Sequence, residues 1–207
     1  MRKICRFALL LASLLLIATL LASCADKGGD IDEAEKLDIS SMSDEQLYKY
    51  AQLGEYKGIE IKLDGRAKDE AVWSVLRDNA TIKEYPAMQV EYYFAQAKAQ
   101  YEYYAEEADM SYADMLAQLG TSEESMLSDA KNMAIDDVLF ELVRRAEGIE
   151  LSESEKLEHF DRYVKKYVDS YGYDEDYVKK NLADAVYESM LYDKVSEFLI
   201  TNNSITE

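Results

Sequence analysis

The sequence predicts a mainly α protein, a multi-helix hairpin assembly with at most one short strand near residues 58–63. Three observations carry this reading. Eight glycines and one proline in 207 residues are too few breakers for a turn-dense β-sandwich or barrel. Ser43–Gln46, Ser111–Asp114, Thr121–Glu124 and Ser152–Glu155 each place a capping residue three positions before an acidic or amide side chain, ahead of an amphipathic run, which is how helices begin. Gly54, Gly120, Gly148 and Gly172 stand where those runs stop, as helix C-termini favour.

The N-terminus is set apart from this pattern. Arg2, Lys3 and Arg6 precede the apolar run Phe7–Leu21, which ends in Leu21-Ala22-Ser23-Cys24. The run is shorter than the ~20 residues of a membrane-spanning helix. It resembles a bacterial lipoprotein signal, with small residues ahead of a cysteine, and a secretory signal that carries a cysteine is the plainer alternative. The resemblance implies cleavage between Ser23 and Cys24, lipid attachment at Cys24, and anchoring on the extracytoplasmic face of the cell membrane. On that reading residues 1–23 are the signal, 24–42 a flexible acidic tether, and 43–207 one helical domain.

Charge narrows the partners. The chain has 42 acidic and 23 basic residues, a net charge of −19, and the expected signal carries three of the cations and no acid. So acidic a surface repels phosphate backbones, which excludes nucleic acid as a partner. Two cysteines and one histidine leave no disulfide framework and no zinc site.

Taken in order, Ser43 and Gln46 start a helix that runs to about Leu53. Residues 58–63, Gly-Ile-Glu-Ile-Lys-Leu, alternate with period two and read as one extended segment without a clear partner. Ala71, Val72, Val75 and Leu76 give a helix over 67–80. Pro86 opens a long helix to Glu107, with Val90, Phe94, Ala97, Tyr101 and Tyr104 on one stripe. A short helix spans Ser111 to Gly120, and a long one runs from Thr121 to Glu147. Ser152 begins a helix whose stripe is Leu157, Phe160, Val164 and Tyr167. Asp174 caps a last helix carrying Val178, Leu182, Val186, Met190, Val195 and Leu199.

The order of these segments resembles the bacterial chaperone trigger factor from Leu53 onward. Leu53-Gly-Glu-Tyr-Lys-Gly-Ile-Glu-Ile61 is similar to the segment leaving that family's first domain, and Ala67–Asn79 to the helix after it. Tyr85-Pro-Ala-Met-Gln-Val-Glu91 resembles the start of its C-terminal domain, and Ile149-Glu-Leu-Ser-Glu-Ser-Glu155 the entry to its last hairpin. The family's ribosome-docking domain has no counterpart. Its FKBP-type isomerase domain would lie between Asn79 and Pro86, where only Ala80–Tyr85 stand, too few residues for a β-sheet domain. The resemblance implies an isomerase-free chaperone body, laid out like the helical peptide-binding part of exported parvulin-type foldases.

Function on this reading is holding unfolded or exported polypeptides in an apolar helical cradle, tethered to the membrane by lipid, with no ribosome partner, no catalysis, no cofactor and no metal. A structural or adaptor lipoprotein gripping one folded partner is the alternative, and a residual prolyl isomerase a second. Tyrosine, at 17 residues, combines apolar area with a polar tip, and methionine is adaptable; both suit promiscuous binding. Met88, Tyr92, Tyr101, Tyr104, Met115 and Met190 are the expected contact residues, from helix faces 86–107, 111–119 and 174–200. Each could equally be an ordinary core side chain. His159 stands alone among charges. Asp174-Glu-Asp176 and Asp30/Asp32 lack the glycine and bidentate glutamate of a calcium loop, and Trp73 is expected to pack its own helix.

Overall fold

A computed structural model describes residues 35–207; Ser23, Cys24, the expected signal and most of the expected tether lie outside the described residues. In chain order the elements are α1 (Asp44–Tyr50), β1 (Ala51–Gln52), β2 (Glu60–Lys62), α2 (Lys68–Asn79), β3 (Thr81–Ile82), α3 (Ala87–Glu107), α4 (Tyr112–Leu119), α5 (Glu123–Ala146), α6 (Glu153–Tyr171), α7 (Glu175–Asn181), α8 (Ala183–Thr201) and β4 (Ser204–Thr206). The described residues fall into two compact units: 35–37 with Pro86–Ala134, and Asp38–Tyr85 with Ile135–Glu207. The division passes through α5.

The second unit is assembled from an early and a late segment of the described residues, Asp38–Tyr85 and Ile135–Glu207. The Asp38 carboxylate accepts from the Ser41 N–H and starts a 3-10 turn, Ile39–Ser41, in which Ile39 is buried. Residues 38–42, expected to end a flexible tether, are therefore folded. Ser43 and Gln46 form the expected capping box, with Ser43 N–H to Gln46 Oε1 at 2.8 Å and Gln46 N–H to Ser43 Oγ at 3.3 Å.

The helix ends at Tyr50 because the chain turns extended there. Ala51–Gln52 pairs antiparallel with Thr81–Ile82, Ala51 opposite Ile82, and the Lys83 and Glu84 N–H groups donate to the Tyr50 carbonyl. Gly54 is not a helix stop: an added Cβ would lie 1.9 Å from the Asn79 carbonyl oxygen at the end of α2.

The expectation of at most one strand is corrected. The described residues carry two two-stranded pairs, β1–β3 and the parallel β2–β4, with Ile61 opposite Ile205. The alternation at 58–63 marks β2, whose partner is β4, Ser204–Thr206; β1 and β3, of two residues each, are too short to leave a period-two pattern.

Burial is concentrated on the second half of α5, where Ile135, Val138, Leu139, Leu142 and Val143 are buried, and on Leu47, Ile61, Val72, Leu76, Val195 and Leu199. Trp73 is buried as well. Its Nε1–H donates to Ser196 Oγ at 2.8 Å, and its ring stacks on Tyr192 at 4.9 Å.

Glu141 is buried and ionic. Burial pushes its carboxyl up, but hydrogen bonds from Arg144 and Arg145 outweigh that and hold it below the usual range. Arg145 also reaches Asp44 at 2.8 Å and the Ser40 carbonyl at 3.1 Å, fixing the first turn and α1 to α5.

The C-terminal hairpin follows the expected capping box at Ser152 and Glu155. Tyr163, Val164, Tyr167, Val178, Val186 and Met190 form its core, with Leu151 and Phe160 packed on it. Leu157, expected on this stripe, is 84% exposed: Leu151 and Phe160 on either side pack on the cluster instead. The expected last helix is two. Asp174 caps α7 by accepting from the Tyr177 N–H, and Leu182, at φ −119°, breaks the path before α8.

Gly54→Ala tests the close approach. It should cost about 1–3 kcal/mol by overpacking, read as a lower denaturant midpoint with unchanged slope, whereas Gly58→Ala meets no atom within 4 Å and should show only the backbone strain of its positive φ, about 1–2 kcal/mol.

Candidate polypeptide-binding surface

The first unit is built around α3. Pro86 stands at its N-cap with no side-chain cap bond, so the first turn relies on its neighbours: the Leu37 N–H donates to Gln89 Oε1 at 3.0 Å, and Gln89 is fully buried. Val90, Ala130 and Ala134 form a small core with Tyr93 and Phe94 packed against it. Beyond that, only Ala105 among the later α3 residues is buried. From Tyr92 to Tyr101 the helix is half-buried, the small side chains Ala95, Ala97 and Ala99 included.

Ser111 caps α4 by accepting from the Asp114 N–H, and Gly120, in the left-handed region at φ +68°, ends it. The α5 cap is Ser122, whose Oγ accepts from the Ser125 N–H at 3.1 Å, one residue past the expected Thr121. The α4 turn is held by Tyr112, whose hydroxyl lies 3.7 Å from Met126 Sδ and whose ring faces Lys98 Nζ at 5.8 Å; Lys98 pairs with Glu123 at 3.6 Å. Burial, then the Glu123 carboxylate, push the Tyr112 hydroxyl up to about 12. Burial and Asp129 likewise raise Tyr101. These phenols stay neutral at any physiological pH and can act only as apolar faces with a donor tip.

The expected contact residues separate. Met88 is 46% exposed. Tyr92 lies half-buried, edge-on to Tyr93 at 5.4 Å. Tyr101 and Tyr104 are half-buried further along α3, where Gln100 Nε2 donates to the Tyr104 hydroxyl at 3.0 Å. Met115 and Met190 are corrections, being 7% and 4% exposed. Met115 packs inside α4 beside Leu116, and Met190 belongs to the C-terminal hairpin core of the other unit. A methionine at helical spacing cannot be told from core by sequence.

Tyr103, Leu119 and Leu127 of the same unit are exposed apolar groups outside the expected set; Tyr103 adjoins Tyr104 in sequence, but nothing local marks the other two. The charged side chains of α3 are Glu91, Lys98, Glu102, Glu106 and Glu107, and Lys98 and Lys131 are the cations of 86–134.

In the second unit a shallow cleft of about 430 Å³ has Leu151, Tyr187 and Leu191 on its walls among charged side chains; it takes in none of the expected contact residues. No helix among the described residues is long and apolar enough to cross a membrane.

A family model described as the bacterial trigger factor protein C-terminus matches residues 62–201. No curated protein and no solved structure matches.

The burial difference between the two kinds of methionine predicts their responses. Met115→Ala should cost about 2–5 kcal/mol and Met88→Ala within about 0.5 kcal/mol, both measured by denaturant unfolding followed by far-UV circular dichroism.

Proposed function

We propose that this chain, which belongs to the bacterial trigger factor C-terminal family, holds unfolded polypeptides along α3 of its first unit, without catalysis. The family is chaperone-like. The observation that carries the reading is the burial of α3, a 21-residue helix with apolar and aromatic side chains along its length yet buried residues only near its two ends. A helix needed only for packing would seal its apolar stripe against a neighbour.

The contact groups of this reading lie on two sides of α3: Tyr101 and Tyr104 share the stripe of Val90, and Met88, Tyr92 and Tyr103 stand on the other side. Each contributes a modest apolar area, and rings with hydroxyl tips accept many partner geometries at low entropic cost. Many weak contacts give reversible capture, and nothing in them requires a nucleotide or cofactor. The six residues 80–85, which join α2 to α3, are taken up by β3 and its hydrogen bonds to Tyr50, which supports a chaperone body free of an isomerase insert.

The membrane tether is part of the same proposal. It rests on the sequence Leu21-Ala22-Ser23-Cys24, which would put a lipid on Cys24 and the protein on the extracytoplasmic face. Two measurements test the reading. The chain should suppress aggregation of an unrelated unfolding protein, and Met88→Ser/Tyr103→Ser should weaken suppression about tenfold with helicity and melting temperature unchanged; failure of the unmodified chain to suppress aggregation removes the proposal. Cys24→Ser should abolish lipid labelling and release the chain from the membrane fraction, and retention of both would remove the anchor alone.

A further inference from the structure

Asp136 lies in the second unit on α5, facing α2. Its Oδ2 accepts from the Arg77 guanidinium. Its other oxygen, Oδ1, is buried and has no hydrogen-bond partner. An ionised carboxylate spreads its charge over both oxygens, so an oxygen cut off from water and from any donor is costly.

The surroundings add to that cost. From α2 the facing cation is Arg77, with Asp78 close enough to act on that guanidinium. From α8 comes Tyr192, whose phenol feels both Asp136 and Asp69 of α2 and whose ring is stacked between Trp73 and Phe140. On α5 itself Asp137 is adjacent and repels. One guanidinium thus stands among several carboxylates and an aromatic wall.

We infer that Asp136 is a proton-binding site of the folded chain, taking a proton from solvent onto Oδ1 while Oδ2 stays on Arg77, so that mild acid favours the folded state at this position. The proton comes from a hydronium ion, which leaves as water, so one negative charge is removed while the Arg77 hydrogen bond to Oδ2 is kept. Burial, partly offset by Arg77, lifts the carboxyl to about 6, in agreement with the geometry. The sign sets this group against its neighbours. Glu141, Glu147 and Glu155 are held low, so their stabilisation is present above the ordinary carboxylate range and is lost as pH falls. A group raised in the folded state binds its proton first there, so its contribution grows as pH falls from about 6 towards the ordinary aspartate value near 4. The site would offset part of the acid loss from the other three. It does not depend on what the first unit binds.

The test compares the full chain with Asp136→Asn by denaturant unfolding between pH 7.5 and pH 4.5. The folding equilibrium constant of the parent relative to the variant should rise about thirtyfold across that range. A ratio constant within twofold overturns the inference. A second measurement needs no variant: in the carbon-detected carboxyl spectrum of the folded parent, Asp136 should titrate with its midpoint near pH 6. A midpoint at or below 4 overturns it equally, whether or not Asp136→Asn folds.

Discussion

The second unit exists only if the two ends of the described chain meet. Glu60–Lys62 and Ser204–Thr206 pair in parallel although 144 residues separate them. Around that pairing the Gly58 N–H donates to the Asn202 carbonyl, the Leu63 N–H to the Thr206 carbonyl, and Asn203 bridges the Ile59 N–H and the Tyr56 carbonyl with its side-chain amide. Closing so long a loop costs entropy before any contact rewards it. The reward has to come from dense packing, and the α2–α8 contact centred on Trp73, Ser196 and Tyr192 supplies it next to the strands. Tyr56 and Lys57, both on the Glu147 carboxylate, and Arg145 on Asp44 add charged clasps between the same early and late segments. Each is partly exposed, so their worth lies in register more than in energy.

Between those two segments the chain makes Pro86–Ala134, and there the economy of burial is different. On α3 the buried apolar residues are Val90 and Ala105, with Tyr93 and Phe94 leaning on the Val90 cluster. The first unit's larger buried side chains, Met115, Leu116 and Met126, lie on α4 and the start of α5, whereas the second unit buries a long series of leucines, isoleucines and valines. Helices with few buried contacts open at lower free energy than core helices. The proposed capture of varied extended chains would benefit from that, because side chains that are not locked by neighbours can re-pack against each new partner. Low burial on α3 and tight burial on the second half of α5 are thus two requirements placed on one chain.

Local signals in the sequence proved reliable where the physics is local. The capping pairs at Ser43, Ser111 and Ser152, and the left-handed glycines at 120 and 172, act over three or four residues and are present in the fold. The helical period also placed α2, α3 and α5 within a few residues. What the sequence hid depends on distant partners. β1 and β3 are two residues each, and β4 is the chain end. The end of α1 at Tyr50 follows from the β3 strand reaching back to it, and the break at Leu182 from a backbone turn with no proline or glycine to announce it. Met115 and Met190 were misplaced for a related reason: the apolar period tells which face a residue shares, and only the neighbouring helix decides whether that face is covered.

The tyrosines show how far composition can be taken. Tyr163 and Tyr167 are buried with their hydroxyls on Asp193 and Ser189, and Tyr192 is held between Trp73 and Phe140. These are core residues whose polar tips find partners, so their rings fill the interior beside the aliphatic side chains without leaving a hydroxyl unpaired. Tyr92, Tyr101, Tyr103 and Tyr104 share the residue type but stand on a helix that is buried only near its ends. An excess of tyrosine therefore carries two meanings in one chain, and burial along α3 separates them: the tyrosines that complete the second unit are committed to it, while those on α3 keep part of their apolar area uncovered, the area on which the proposed capture of polypeptides rests.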